Sequence, residues 1–250
     1  VGYLACGDTG AGKMPEPAEL LEYILQEIAC EKDLAGKKVL VTAGPTREEM
    51  DPVRYITNHS TGKMGYAIAQ AAVRRGAQVT LVSGPVEQKP PLGAALVKVI
   101  SAKEMFEAVT QAAGEQDVII KAAAVADYRP VHVNREKTKK GEGSMSIALE
   151  RTDDILAWLG EHRRDGQFLC GFSMETQNVL ENSRAKLQKK KIDMIVANSL
   201  RTEGAGFGTD TNVVTILTPD GTETLEKMAK SEVAHRILDR IIAITGKRFE

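Results

Sequence analysis

The chain has 250 residues, a formal net charge of −1 and 27% charged residues. That length suits one large α/β domain or two small ones, and it can bury a sizeable core without disulfide or metal staples. The balanced charge argues against a sequence-blind nucleic-acid or membrane binder, and no apolar run is long enough to span a bilayer. The three widely spaced cysteines, Cys6, Cys30 and Cys170, argue against a disulfide framework and for a reducing, cytoplasmic setting.

The opening, Val1 to Leu20, carries four glycines and two prolines and reads as loop. Pro17 suits the first turn of a short helix with Leu20, Leu21, Ile24, Leu25 and Ile28 as its apolar stripe. Asp33 to Lys38 reads as a linker. An alternation of short apolar runs and amphipathic helices follows. It runs through strand Val39–Thr42, helix Lys63–Arg75 closed by Gly76, strand Val79–Val82, strand Leu96–Ile100, helix Ala102–Ala113 and strand Val118–Ala122. The stretch from Asp127 to Ser144 is polar, rich in Lys, Arg and Glu, and predicts a long loop. Alternation resumes with helix Asp153–His162, strand Phe168–Phe172, helix Val179–Lys190 and strand Met194–Ala197. Val213–Leu217, a Pro219-Asp220-Gly221 turn and Glu223–Leu225 predict a β-hairpin, and a last helix spans Lys230–Ile244. The pattern predicts an α/β fold with a mostly parallel sheet, helices on both faces and a C-terminal hairpin.

Four segments carry candidate chemistry. Val39 to Gly65 is a strand, a long loop and a helix start, with Gly44, Ser60 and Gly62 placed to expose backbone N–H groups to a phosphate or carboxylate. Ser60 or Thr61 is the expected helix cap. The Walker A spacing and the GxGxxG fingerprint are both absent, and an ordinary strand–helix connection would share these features. The loop nevertheless holds Arg47, Arg54, Asn58 and His59, which favours an anion site. Lys121 to Pro130 places small residues at a strand end, where ligands of open α/β sheets sit, and puts Asp127 where it can meet ribose hydroxyls or a metal. Its bland alternative is a strand end with a solvated acid. Val133 to Gly143 carries Lys137, Lys139 and Lys140, which suit a loop closing over a triphosphate or, equally, a solvated loop. Lys186 and Lys190, four apart on a helix, share a face that solvent alone also explains.

The strings AGPTREEMDPVRYITNHSTGKMG, AAAVADYRP, GFSMET and VANSL resemble, in order and spacing, the phosphopantothenate–cysteine ligase (phosphopantothenoylcysteine synthetase) module of bacterial bifunctional coenzyme A biosynthesis proteins, over roughly Leu34 to Gly246. LACGDTGAGKM, Leu4 to Met14, is similar to the flap of the flavin-dependent decarboxylase fused ahead of that module, and Cys6 matches that family's catalytic cysteine. Residues 1–33 are therefore expected to be a decarboxylase remnant with linker and 34–250 the ligase domain. FMN is not expected, because the rest of the flavin-binding domain is missing, and Cys6 is expected to be an exposed, unpaired thiol.

The resemblance implies a Rossmann-like sheet and CTP-dependent ligation. The carboxylate of 4′-phosphopantothenate attacks the α-phosphate, pyrophosphate leaves, and the amine of cysteine displaces CMP from the acyl-cytidylate. It implies nucleotide contacts at Lys121, Ala122, Ala123, Asp127, Lys137, Asp153, Asp154, Ile155, Leu156, Phe172, Lys186 and Lys190. Magnesium is expected near Asp127, and acyl-substrate contacts at Arg54 and Asn58. Lys137 is expected to promote formation of the intermediate and Asn58 its turnover. A homodimer is implied, with Val39–Gly65 or the hairpin near Val213 at the interface. The family commonly reads Asn-Pro-Asp where this chain has Thr152-Asp153-Asp154. An ATP-using relative of the same fold and a non-catalytic flavin- or dinucleotide-binding module stand as alternatives.

Overall fold

The structure is a computed structural model and describes residues 2–3, 6–10, 14–140, 143–175, 179–199, 206 and 208–246. Leu4, Ala5 and 11–13 of the flap-like segment, Thr176 of GFSMET and Leu200 of VANSL lie outside the described residues. The main sheet has eight strands: β1 (Lys38–Ala43), β2 (Gln78–Ser83), β3 (Ala95–Lys98), β4 (Val118–Lys121), β5 (Phe168–Glu175), β6 (Met194–Ser199), β7 (Val214–Thr218) and β8 (Gly221–Thr224). Their spatial order is 8-7-6-5-4-1-2-3. The six strands from β3 to β6 are parallel, and β7 and β8 close one edge as an antiparallel hairpin.

Among the described residues there are six helices, α1 (Pro17–Ile28), which lies on α2, and α2 (Lys63–Arg74), α3 (Ala102–Ala113), α4 (Ile155–His162), α5 (Val179–Lys189) and α6 (Lys230–Thr245), which flank the sheet. Two apolar cores form because successive strand residues point to opposite faces. Val39 and Val41 pack with Ile68 of α2 and Ile237 of α6 on one side. Leu40 and Ile119 pack with Met105 of α3, Leu159 of α4 and Leu187 of α5 on the other. The central strands β1, β4, β5 and β6 are largely apolar because both faces are covered.

Three local features differ from the sequence reading. The segment after β1 is a β-hairpin, Arg47–Asp51 with Arg54–Thr57, rather than irregular loop. Its register shifts between Glu49 and Asp51, which blurs the alternation in sequence. The Asp127–Ser144 excursion is fastened at its base by a ribbon pairing Tyr128–Pro130 with Leu149–Arg151. The stripe of α1 is not a core face. Leu21, Ile24 and Ile28 are exposed, and the helix is held to α2 by Glu22, which accepts from Gln70 at 2.9 Å and from Arg74 at 2.8 Å.

Helix α2 is seated directly on β1 because of Gly65. A β-carbon there would lie 2.6 Å from the Ala43 β-carbon and 2.9 Å from the Thr42 carbonyl oxygen. In an unconstrained helix Gly→Ala stabilises by roughly 0.5–1 kcal/mol. Here Gly65→Ala is expected to destabilise by about 2 kcal/mol, since α2 must lift from the sheet. Urea unfolding reads the sign directly, and an unchanged or raised midpoint would show that the helix can shift at no cost.

Candidate active site

The order 3-2-1-4-5-6 reverses direction between β1 and β4, and in open α/β sheets ligands bind at the carboxyl ends of the strands beside that reversal. A cavity of about 400 Å3 lies there. It brings together Asn58, Ser60, Gly62, Lys121, Ala122, Ala123, Asp127, Phe172 and Lys186 from the sequence reading. It also recruits Lys63, Met64 and Gly65 of α2, Asn198 of β6, Asn212 and Lys230.

The walls are laced by backbone. Ala123 N–H donates to Thr42 Oγ1 at 3.1 Å, Ala124 N–H to the Gly44 carbonyl at 2.9 Å, and Ala126 N–H to Thr46 Oγ1 at 3.0 Å. Asn58 Nδ2 donates across the crevice to the Ala124 carbonyl at 2.9 Å. That bond uses part of the donor capacity assigned to Asn58 and leaves its amide oxygen for other partners.

Helix α2 begins differently from expectation. Gly62, not Ser60 or Thr61, is the N-cap, with φ 76°, and no side chain caps the helix. Ser60 Oγ instead accepts from Gly62 N–H at 3.4 Å. An α-helix start without a side-chain cap leaves first-turn N–H groups for an anionic oxygen, and the helix dipole favours the same guest.

Charge in the cavity is arranged around Asp127, the one carboxylate among its described lining residues. Burial lowers the Lys121 ammonium to about 8; the attraction of Asp127 opposes this, and the charges of Lys190 and Lys186 add to it. Burial likewise lowers Lys190, again opposed by Asp127. Lys190 also pairs with Asp154. These lysines stand close enough to repel, which suits a polyanion that would relieve the repulsion. Among the described residues no group of three or more His, Cys, Asp or Glu could hold a metal ion. A lone Asp127 fits only a magnesium ion held chiefly by water and phosphate oxygens.

Several expected site residues lie elsewhere. Gly44 sits behind Gly62, on the sheet side of the cradle. Asp153 is exposed beyond the rim. Asp154 is the N-cap of α4, its carboxylate accepting from Ala157 N–H at 3.0 Å, so the cap survives without the family's proline. The side chains of Ile155 and Leu156 are 1% and 9% exposed and belong to the core, so only their backbone can serve a ligand. Arg54 lies outside the cavity lining. Its guanidinium is engaged by Asp51, with Nε at 3.0 Å and Nη2 at 2.5 Å, and donates to the Thr138 carbonyl at 3.1 Å. Asp51 is 1% exposed and also accepts from Val53, Arg54 and Thr138 backbone N–H groups; the Arg54 guanidinium foremost holds its carboxyl well below the usual range. Arg54 thus moors the basic loop, and Lys137, next to Thr138, is exposed outside the cavity lining.

Lys63, Asn198, Asn212 and Lys230 were missed. Asn198 was accessible to the rule that strand carboxyl ends share an edge. Asn212 and Lys230 arrive through a two-residue ribbon, Thr211–Asn212 with Met228–Ala229, that no local pattern announces.

The fold and cavity define an open, doubly wound α/β domain with a lysine-lined cavity at its switch point. The chain belongs to the family described as the DNA/pantothenate metabolism flavoprotein C-terminal domain, whose profile matches residues 34–244. The coenzyme A biosynthesis bifunctional protein CoaBC of Bacillus subtilis (strain 168) is 48% identical over 99% of this chain and 62% of its own length. The chain therefore spans about 60% of the length of the curated relatives it matches. A crystal structure of the C-terminal domain of a CoaBC protein is 47% identical, covers 87% of this chain and 100% of that one, and superimposes with a TM-score of 0.75. A Cab2 mutant in complex with phosphopantothenate-cysteine, 17% identical over 94% of this chain and 95% of that one, shares the fold with a TM-score of 0.71.

The Lys121 shift makes a stability prediction. Its folded value, about 8, lies below the ordinary 10.5, so above pH 8 the unfolded chain holds more protons and stability rises with pH until about 10.5. Lys121→Met should stabilise the free protein at pH 7 by on the order of 2 kcal/mol, allowing for partial exposure. The gain should vanish near pH 10.5. Urea titrations of both proteins at pH 7 and 10 check this; equal gains at both values would remove the strained lysine from the account.

Proposed function

We propose that this domain joins the carboxylate of 4′-phosphopantothenate to the amine of cysteine at the expense of CTP. The observation that carries the reading is the cavity at the switch point, where an uncapped helix start and the Lys121 and Lys186 ammonium groups converge, with Lys190 near enough to act on Lys121. The relatives' role in coenzyme A biosynthesis supports the choice of substrates.

A carboxylate is a poor acylating agent, so it must first gain a leaving group. The carboxylate oxygen attacks the α-phosphorus of CTP, the bond to the bridging oxygen breaks, and pyrophosphate departs. The amine of cysteine then attacks the acyl carbon, loses a proton, and expels CMP with the original carboxylate oxygen. The lysines and the α2 start offset the triphosphate charge, and Asp127 can share a magnesium ion that arrives with it. Asn58, fixed by its bond to Ala124, lines the cavity with its amide oxygen left to accept from the incoming amine. Lys137 comes over the phosphates only when the basic loop swings about its mooring at Asp51 and Arg54. The same reading makes the chain a homodimer, with the exposed Val53, Tyr55, Val131 and Val133 on the two neighbouring excursions as contact surface.

Pyrophosphate release with phosphopantothenate present and cysteine withheld tests the reading. CTP should support it and ATP should not, because a site of paired hydrogen bonds rejects a base that leaves them unmet. Lys137→Gln should slow it by about two to three decades, a few kcal/mol of lost charge stabilisation. Equal release from ATP would replace CTP by ATP in the proposal, and no release from either would end it. Asn58→Asp should release pyrophosphate yet retain acyl-cytidylate, detectable by mass spectrometry after an acid quench. The new carboxylate faces the Ala124 carbonyl and adds negative charge beside a phosphate ester. Normal amide formation would remove Asn58 from the chemistry.

A further inference from the structure

Two carboxamides beside the cavity are oriented by an unambiguous chain of hydrogen bonds. The backbone N–H of Val213 can only donate, and it donates to Asn212 Oδ1 at 3.0 Å. The Asn212 oxygen is thereby fixed as the acceptor end, and its Nδ2 must face the other way. Asn212 Nδ2 donates to Asn198 Oδ1 at 3.2 Å and touches Met64 Sδ at 4.0 Å. Asn212 is 1% exposed, and its backbone is pinned by pairing with Met228, so it has little freedom to turn.

The consequence falls on Asn198. Its oxygen is occupied by Asn212, so its Nδ2 group is the end left to serve the cavity that Asn198 lines at the carboxyl end of β6. Met64, the second residue of α2, lines the same cavity. An amide that offers only N–H groups beside a helix start suits an anionic oxygen and disfavours an N–H or ammonium group.

We propose that Asn198 donates a hydrogen bond to an anionic oxygen of a substrate, and that Asn212 is the positioning residue that keeps its donor end toward the cavity. This rests on the proposed function for the identity of the substrate, a nucleotide phosphate or the carboxylate of the amino acid. The relay makes the assignment specific, because replacing Asn212, which is 1% exposed, by an acid reverses Asn198. In Asn212→Asp the acid still accepts from Val213 N–H, but it cannot donate to Asn198. Asn198 must then turn its N–H groups toward the new carboxylate and its oxygen toward the cavity.

The test compares the parent, Asn198→Asp and Asn212→Asp. Thermal melts confirm that each is folded, and calorimetry measures binding of CTP and of inorganic pyrophosphate. Turnover is measured with cysteine and with cysteamine, which lacks the carboxylate. If the oxygen belongs to a phosphate, both variants should bind CTP and pyrophosphate about 10- to 100-fold more weakly. If it belongs to the amino acid, binding of both should hold, the KM for cysteine should rise by a similar factor in both variants, and cysteamine should be unaffected. Affinities and KM values within twofold of the parent in both folded variants would overturn the assignment. So would a defect in Asn198→Asp with a normal Asn212→Asp, since the relay would then be idle. A parent that binds pyrophosphate but turns nothing over would sink the proposed function alone. The assignment would then be decided by the pyrophosphate affinities, where unchanged values in the variants overturn it.

Discussion

The site depends on β1 and β4 remaining laced to each other beyond the ends of their ladder. Parallel strands that part at a switch point leave backbone groups without partners, and buried groups of that kind are costly. Here Thr42 and Thr46 accept from Ala123 and Ala126 through their hydroxyls, and Gly44 accepts from Ala124 through its carbonyl. The crevice can therefore open at its mouth while its floor stays rigid. The small residues Ala122, Ala123 and Ala124 keep that floor low enough for a ligand to approach the main chain.

Electrostatics adds the second layer. A stable folded chain would not bury Lys121 beside other ammonium groups without a counterweight, and Asp127 supplies only part of it. The free protein is thus less stable than its packing allows, and the proposed polyanion would recover the difference. Lys63 and Lys230 have a different task. Lys63 donates to the Gly208 carbonyl at 3.0 Å and to Asp210 at 2.7 Å, and Lys230 donates to the Gly206 and Thr209 carbonyls at 2.9 and 2.6 Å. Lys63 holds the chain leading to Asn212 against α2 and Lys230 holds it against α6, and so they shape the wall that presents Asn198.

Sequence pattern carried most of the sheet because its information is local. Apolar runs such as Val118 to Lys121 and helices such as Ala102–Ala113 need only their own periodicity, and their positions agree with the structure. The hairpin at Arg47–Thr57 was hidden by the irregular register near Asp51 and by charged residues that read as loop. Polarity also concealed the partner of Arg54, since nothing local in the sequence shows that Asp51 is enclosed and accepts from its guanidinium. The cavity residues contributed by Lys121 to Asp127 were legible from the rule for strand ends. Asn212 was not, because its place follows from a ribbon formed with Met228, sixteen residues away in the chain.

The most direct measurement of the central claim follows one atom. Phosphopantothenate labelled with oxygen-18 in its carboxylate would be turned over with CTP and cysteine, and the products separated for mass spectrometry. Attack of the carboxylate on the α-phosphorus at the switch-point cavity requires that one labelled oxygen appear in CMP and none in pyrophosphate. Unlabelled CMP, or label carried away in a phosphate from the far end of the triphosphate, would contradict activation by nucleotidyl transfer.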